Sequence, residues 1–274
     1  MSDLTELRRK IDEIDSTLID LLNQRAALAL EVGKIKQTTG VPVYAPARED
    51  QLLRGLVKKN KGPLTPEAIH AIYREIMSAS LSLETDLVIA CLGPETGITR
   101  QAAQQKFGSS VRYVFLPEIS DVLTSVEKSK AHYAVVPIET SLEKPVRSTL
   151  DSLLEQKLFI VAQVLLRNSA DGKPAGRFFI VGRKLNPPSE SDQTSLCIRL
   201  HNQPGALVSA LAPLSDSGIN LVQILSWQDD TGKPAECFYL EIQGHAEDSA
   251  IHKTIETLRV RCDFLKVLGS YPKA

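Results

Sequence analysis

A few charged residues occupy helix faces that should be apolar, and they are the first candidates for chemistry. Arg25 interrupts a row formed by Leu4, Leu7, Ile11, Ile14, Leu18, Leu21, Leu28, Val32 and Ile35. Arg8 flanks that row one position after Leu7, and Lys36 lies three turns beyond Arg25 on nearly the same side. Such an arginine either sets the register of a coiled coil or belongs to a polar site. Arg48 and Glu49 fall in the first turn of a second helix, where the helix dipole disfavours a cation. Glu49 precedes Leu52 and Leu53 by three and four residues, so it turns inward; the pair either decorates a surface or lines a site. In a third helix, Ser80 and Glu84 continue the inward row of Ile76. The chemistry open to this set is charge and hydrogen bonding. The four cysteines, Cys91, Cys197, Cys237 and Cys262, lie far apart without ligand spacing, so no metal and no cofactor are expected.

Three helices must position these groups. The first spans about residues 3–39, roughly 54 Å at ~1.5 Å per residue, and its seam requires a partner helix along its length. Gly40 and Pro42 end it, and Pro46 suits the first position of the second helix. Thr65-Pro66 caps the third, which runs to about Glu84.

The stretches Leu7-Arg8-Arg9-Lys10-Ile11-Asp12, Arg25, Glu31-Val32-Gly33-Lys34-Ile35-Lys36, Pro46-Ala47-Arg48-Glu49, and Ser80 with Glu84 resemble the all-helical chorismate mutases. They are most similar to those fused to prephenate dehydratase in phenylalanine biosynthesis. The resemblance implies an intertwined three-helix dimer in which each site borrows an arginine from the other chain. It implies a pericyclic rearrangement of chorismate to prephenate, which needs a held conformer and charge stabilisation but no nucleophile. On that basis Arg8 of the partner chain and Arg25 hold carboxylates, with Ser80 assisting. Lys36 and Glu84 face the ether oxygen, Arg48 supports the carboxylate end, and Glu49 accepts the substrate hydroxyl. A Glu84 carboxyl serves as donor there only while it carries its proton. Ala45 departs from relatives with aspartate at that place.

From Asp86 the periodicity changes to short apolar runs alternating with helices, which predicts a mainly parallel α/β layer. Leu92-Gly93-Pro94-Glu95, Val135-Val136-Pro137-Ile138-Glu139, Thr149-Leu150-Asp151 and Arg177-Phe178 resemble prephenate dehydratase. That family has two lobes with catalysis between them. Here a short hairpin-like link from Leu166 to Arg177 replaces the second lobe. The family's Gly-Thr is Thr96-Gly97, its Asn-Ser is Thr140-Ser141, one glycine is Lys144, and the threonine before Arg177 is Gly176. The segment is expected to be a one-lobed remnant in which Glu95, Glu139 and Arg177 are structural.

Residues 186–192 are rich in proline and serine and predict a linker. Beyond them a βαββαβ order predicts a split-βαβ, ferredoxin-like unit. Asn202-Gln203-Pro204-Gly205-Ala206-Leu207 and Phe264–Pro272 resemble the ACT domain that ends prephenate dehydratases, which pairs and binds phenylalanine. The resemblance places an amino-acid effector at Gly205, Ala206, Leu207 and Ser226. The family's second motif, Glu-Ser-Arg-Pro, is here Leu225-Ser226-Trp227-Gln228, so the ligand differs or the domain only dimerises.

The expected architecture is therefore α, then α/β, then α+β: a helical mutase over 1–85, a truncated dehydratase-like domain over 86–185, and an ACT domain over 193–274. Thirty-two basic and 33 acidic residues give a net charge of −1, which points away from nucleic acid and anionic membranes. A polar start and the lack of an 18-residue apolar run predict no signal peptide, no membrane span and a cytoplasmic protein, and the resemblance implies a homodimer. The function expected is chorismate mutase, with chorismate and prephenate as partners. The alternatives are an active mutase–dehydratase and a non-catalytic ACT-based regulatory subunit.

Overall fold

A computed structural model describes residues 3–140, 147–167, 172–228 and 235–273. Ser141, Lys144 and the turn residues 168–171, all singled out in the sequence, lie outside the described residues. The chain forms two compact units that interleave in sequence. One comprises Met1–Tyr44, Leu53–Leu87 and Phe107–Arg112; the other comprises Ala45–Leu52, Val88–Lys106 and Tyr113–Ala274.

In the helical unit, α1 (Leu4–Thr39) starts at Asp3, whose side chain accepts the Thr5 amide, and ends at Gly40 in the left-handed region. Helix α3 (Pro66–Glu84) starts at Thr65, which accepts the Ala68 amide. Helix α2 (Pro46–Lys59) begins on its expected proline. The nine apolar residues of the α1 seam are all 45–63% exposed in the single chain. Gly33 is the buried residue of α1.

The second unit opens with β1 (Val88–Leu92), α4 (Ile98–Phe107), β2 (Arg112–Leu116) and α5 (Ile119–Glu127). It continues with β3 (Tyr133–Thr140), α6 (Arg147–Glu155), β4 (Phe159–Arg167) and β5 (Pro174–Gly182). The strands form one sheet in the order β2-β1-β3-β5-β4. The sequence predicts a mainly parallel sheet, but the sheet is mixed. β1 and β3 are parallel, but β5 runs antiparallel to both β3 and β4. The reason is the short link between β4 and β5: a direct reversal gives antiparallel neighbours, whereas a parallel pair needs a long crossover.

The last segment contains β6 (Asp192–His201), α7 (Ala206–Asp216), β7 (Leu221–Gln228), β8 (Ala235–Gln243), α8 (Ser249–Val260) and β9 (Phe264–Pro272). Its antiparallel sheet has the order β7-β8-β6-β9, which is the split-βαβ arrangement. One face packs Leu196, Ile198, Leu240 and Ile242 with Ile255 and Leu258 of α8. The other face sends Cys197, Tyr239, Leu268 and Tyr271 into the same core as Ile160 and Phe179 of the five-stranded sheet.

Residues 186–192 form an irregular connection in which Pro187, Pro188, Glu190 and Ser191 are exposed and the two ends are held. Asn186 and Asp192 are buried. The Asn186 amide donates to the carbonyls of Val161 and Ser270, and its own carbonyl lies 3.0 Å from His245 Nε2. The two sheets share a core because β6, β8 and β9 carry buried residues on both faces, not one. At Gly269 the β9 backbone lies so close to Ile160 that a Cβ would collide with its carbonyl oxygen. No helix among the described residues is long and apolar enough to cross a membrane.

Candidate active site

The helical unit brings four of the expected residues together in two pairs. Lys36 Nζ donates to Glu84 Oε2 at 2.8 Å and to the Val43 carbonyl at 2.8 Å. The Glu84 side chain is only 8% exposed. Arg25 hydrogen-bonds the Ser80 hydroxyl, which in turn donates to the Ile76 carbonyl one turn earlier. Ser80 is buried, while Arg25 is half-buried. Both pairs join α1 to α3 and follow from the inward row of α3 meeting the polar breaks in the α1 row. An ammonium has three protons and a guanidinium five N–H donors, so each cation retains donors beyond these partners for an anionic ligand.

The remaining expected residues stand elsewhere. Arg8 is exposed near the start of α1. Arg48 is exposed and donates to Gln51 within α2. Glu49 is turned inward as predicted and pairs with Lys106 at the end of α4. Arg48, Glu49 and Lys106 belong to the second unit, and Arg25, Lys36, Ser80 and Glu84 to the first.

Sequence reasoning missed Gly33, Gln37 and Lys106. Gly33 underlies Glu84, and Gln37 donates to the Glu84 carbonyl at 3.1 Å. A glycine inside a 36-residue helix was the available signal for the first.

In the second unit the dehydratase-like residues lie in a buried polar network. Arg177 on β5 donates to Gln163 at 3.0 Å, to Gln223 on β7 and to Glu241 on β8. Its guanidinium carbon also sits 5.3 Å from the centre of the Phe179 ring. Glu241 accepts from Tyr239 as well, and Ser195 bridges the Tyr239 and Tyr271 hydroxyls at 2.8 and 2.6 Å. Gln223 donates to Glu139 at 2.8 Å. Burial pushes the Tyr239 phenol up to about 12, against the opposing charge of Arg177. Burial likewise holds Tyr271 well above its ordinary value. Glu95, by contrast, makes an exposed pair with Arg100.

The expected effector residues lie at the start of α7 and on β7. Gly205 opens α7 in the left-handed region, which removes the Cβ penalty there. Ala206 and Leu207 are half-buried, and Ser226 is exposed on β7. Leu225 and Trp227, which replace two motif residues, pack against the shared core.

These features define an all-helical chorismate mutase domain followed by a dehydratase-type α/β fold. Residues 7–85 match the family model Chorismate mutase type II, and residues 89–169 match that of Prephenate dehydratase. The bifunctional chorismate mutase/prephenate dehydratase of Aquifex aeolicus is 31% identical, with 100% of this chain and 99% of that protein covered. The protein of the same name from Pseudomonas aeruginosa is 31% identical, over 99% of this chain and 98% of its own. Among solved structures, one titled GqqA, a novel type of quorum quenching acylase, is 27% identical with a TM-score of 0.62. It covers 68% of this chain and 95% of its own. Prephenate dehydratase in complex with L-Phe from Arthrobacter aurescens is 19% identical with a TM-score of 0.61, over 69% and 90%, a likeness of fold alone. The chain belongs to the bifunctional chorismate mutase/prephenate dehydratase family, whose place is in aromatic amino-acid biosynthesis. The Aquifex alignment spans 358 positions against 274 residues here, a difference of 84. The dehydratase match stops at residue 169, just after β4.

Proposed function

We propose that this chain works as a chorismate mutase whose dehydratase-like segment has become structural. The observation that carries this reading is the joining of Arg25 to Ser80 and of Lys36 to Glu84 across two helices. Arg25 holds a substrate carboxylate, positioned by Ser80. Lys36, anchored by Glu84 and the Val43 carbonyl, offers its third proton to the ether oxygen as the C–O bond breaks. Glu84 faces the same oxygen. Arg48 supports a substrate carboxylate, and Glu49 accepts the substrate hydroxyl.

The active form is a cytoplasmic homodimer in which a second copy covers the exposed α1 seam. Nine exposed apolar residues in one row along α1 support this, because such a surface is costly to leave in water. Arg8 then completes the partner chain's pocket. For the dehydratase, Arg177 is already committed to Gln163, Gln223 and Glu241, which leaves it poorly placed to bind prephenate. The last segment, 193–274, is an ACT domain that senses an amino acid weakly or only dimerises, since Leu225 and Trp227 are used for packing.

The test follows chorismate and phenylpyruvate together at neutral pH with the purified full chain. Chorismate should fall and prephenate accumulate, with phenylpyruvate no faster than without protein. No conversion of chorismate would overturn the mutase assignment, and enzyme-dependent phenylpyruvate would overturn the structural reading of the α/β segment. Calorimetric titration with phenylalanine should show weak binding or none; micromolar affinity would show that the altered motif still senses it.

A further inference from the structure

The last turn of α4 and the residues after it hold parts of the mutase helices, although they lie outside the 7–85 match. Lys106 Nζ is 3.7 Å from Glu49 Oε2 and 3.5 Å from Asp50 Oδ1. The Lys106 and Glu49 side chains are only 19% and 13% exposed. Phe107 places its ring 4.8 Å from that of Tyr44, two residues before α2 begins. Gly108, in the left-handed region, lies against Ser78 of α3, where a Cβ would fall 2.5 Å from the serine Cβ. Ser109 donates its amide and its hydroxyl to Glu75, at 2.9 and 2.6 Å, and the Ser110 amide donates to the Ser78 hydroxyl.

This run engages the helix ends that carry Glu49 and Ser80. Within it, Lys106 meets Glu49, a residue with an assigned role toward substrate. Its position suits the task. A cation in the last turn of α4 is favoured by that helix's dipole, and the Glu49 carboxylate in the first turn of α2 is favoured by its own. Asp50 gives the ammonium a second partner, so Lys106 is held between two neighbouring carboxylates.

We propose that Lys106 is a positioning residue for the mutase, fixing the Glu49 carboxylate where it accepts the substrate hydroxyl. This rests on the reading of Glu49 given above. The α/β segment then serves the first reaction through one side chain, even with its own reaction gone. The substrate hydroxyl takes no part in bond making or breaking, so its contact has the same strength in ground and transition states. Loss of such a contact raises KM and leaves kcat nearly unchanged.

The experiment is a double-mutant cycle on the full chain with chorismate as substrate: Lys106→Met, Glu49→Gln and the two together. Lys106→Met should raise KM about three- to tenfold with kcat within about twofold, as expected of one lost uniform-binding contact. Lys106→Arg should restore most of the loss. The double variant should be no worse than Glu49→Gln alone, because Lys106 acts through Glu49. A Lys106→Met protein with wild-type KM, or effects of the two substitutions that simply multiply, would overturn the proposal. Should Lys106→Met fail to fold, Lys106→Gln carries the same comparison. A wild-type chain without mutase activity would overturn this proposal together with the reading beneath it, and so is distinct from the other two outcomes.

Discussion

Gly33 of α1 lies directly against Glu84 of α3: a methyl group at residue 33 would sit 3.0 Å from the Glu84 Cβ and 3.1 Å from its Cα and Cγ. The two helices approach this closely because one of them has no side chain at that point, and Lys36 then reaches the carboxylate. Gly33→Ala should therefore separate stability from activity. Alanine favours a helix over glycine by about 0.5–1 kcal/mol, which offsets part of the crowding. The displaced Glu84 should lower kcat/KM at least ~10-fold, since catalysis tolerates such shifts poorly. Thermal melting and chorismate kinetics on the same preparation check this, and full activity would mean that α3 adjusts freely.

For Glu84 itself, the expected outcome of Glu84→Gln is substantial retained activity, because an amide donates at every pH. Chorismate kinetics at neutral pH check this, and loss of nearly all kcat/KM in Glu84→Gln would mean that an amide cannot stand in for Glu84. Lys36→Met should cost about 10²–10³ in kcat in either background, as loss of one preorganised donor does.

The shared site makes a stoichiometric prediction. Arg8→Ala and Arg25→Ala subunits should each be nearly inactive alone. After exchange at equal amounts, half of the dimers are mixed and hold one intact site of two, so about a quarter of wild-type activity should return. No recovery, with exchange verified by a tag, would place Arg8 outside its partner's pocket.

Restoring the family's threonine at residue 176 should not restore dehydration. A Cβ at Gly176 would fall 2.9 Å from the buried Phe178 ring and 3.0 Å from the Glu139 carbonyl. Gly176→Thr should destabilise the protein by about 1–3 kcal/mol, as overpacking does, and yield no phenylpyruvate. Urea melts and a product assay report the two effects separately.

Alkaline pH should strike the network around Glu241. Tyr239 is raised by burial to about 12 from 10.0, and Tyr271 is raised in the same direction. Below the unfolded value of about 10 their contribution to stability is complete, and it is lost as pH rises through the folded values. Tyr239 alone carries roughly 2–3 kcal/mol on this basis, at about 1.4 kcal/mol per pH unit. Urea melts from pH 8 upward should hold steady to about pH 10 and then weaken, less steeply in Tyr239→Phe.

Much of this arrangement was legible because it follows from local periods. The row through Ile76, Ser80 and Glu84 needs only 3.6 residues per turn, and the ends of α1 and α3 need only Asp3, Gly40 and Thr65. The strands were legible as apolar runs between turns. Their directions were not, since the antiparallel return of β5 beside β3 depends on what the omitted lobe would have done. Lys106 was illegible for a similar reason. It sits 57 residues beyond Glu49, and a lysine ending a helix looks like an ordinary solvated cap until the structure brings the two within 3.7 Å. The shared core escaped notice because Cys197, Tyr239 and Tyr271 read as one face of an ordinary half-buried sheet.

The tie between Arg177 and Glu241 also sets an order of events during synthesis. Chains emerge from the ribosome N-terminus first and domains generally fold as units. When β3, β4 and β5 have been made, the guanidinium of Arg177 has no carboxylate from β8 to meet, and the apolar side of the sheet has no Tyr239 or Tyr271 to cover it. The helical segment can assemble while translation continues, but Arg177 waits 64 residues more for Glu241. A ribosome that stalls in that interval would hold a chain with a formed first half and an exposed, unneutralised second half, which is the kind of surface chaperones bind and proteases remove.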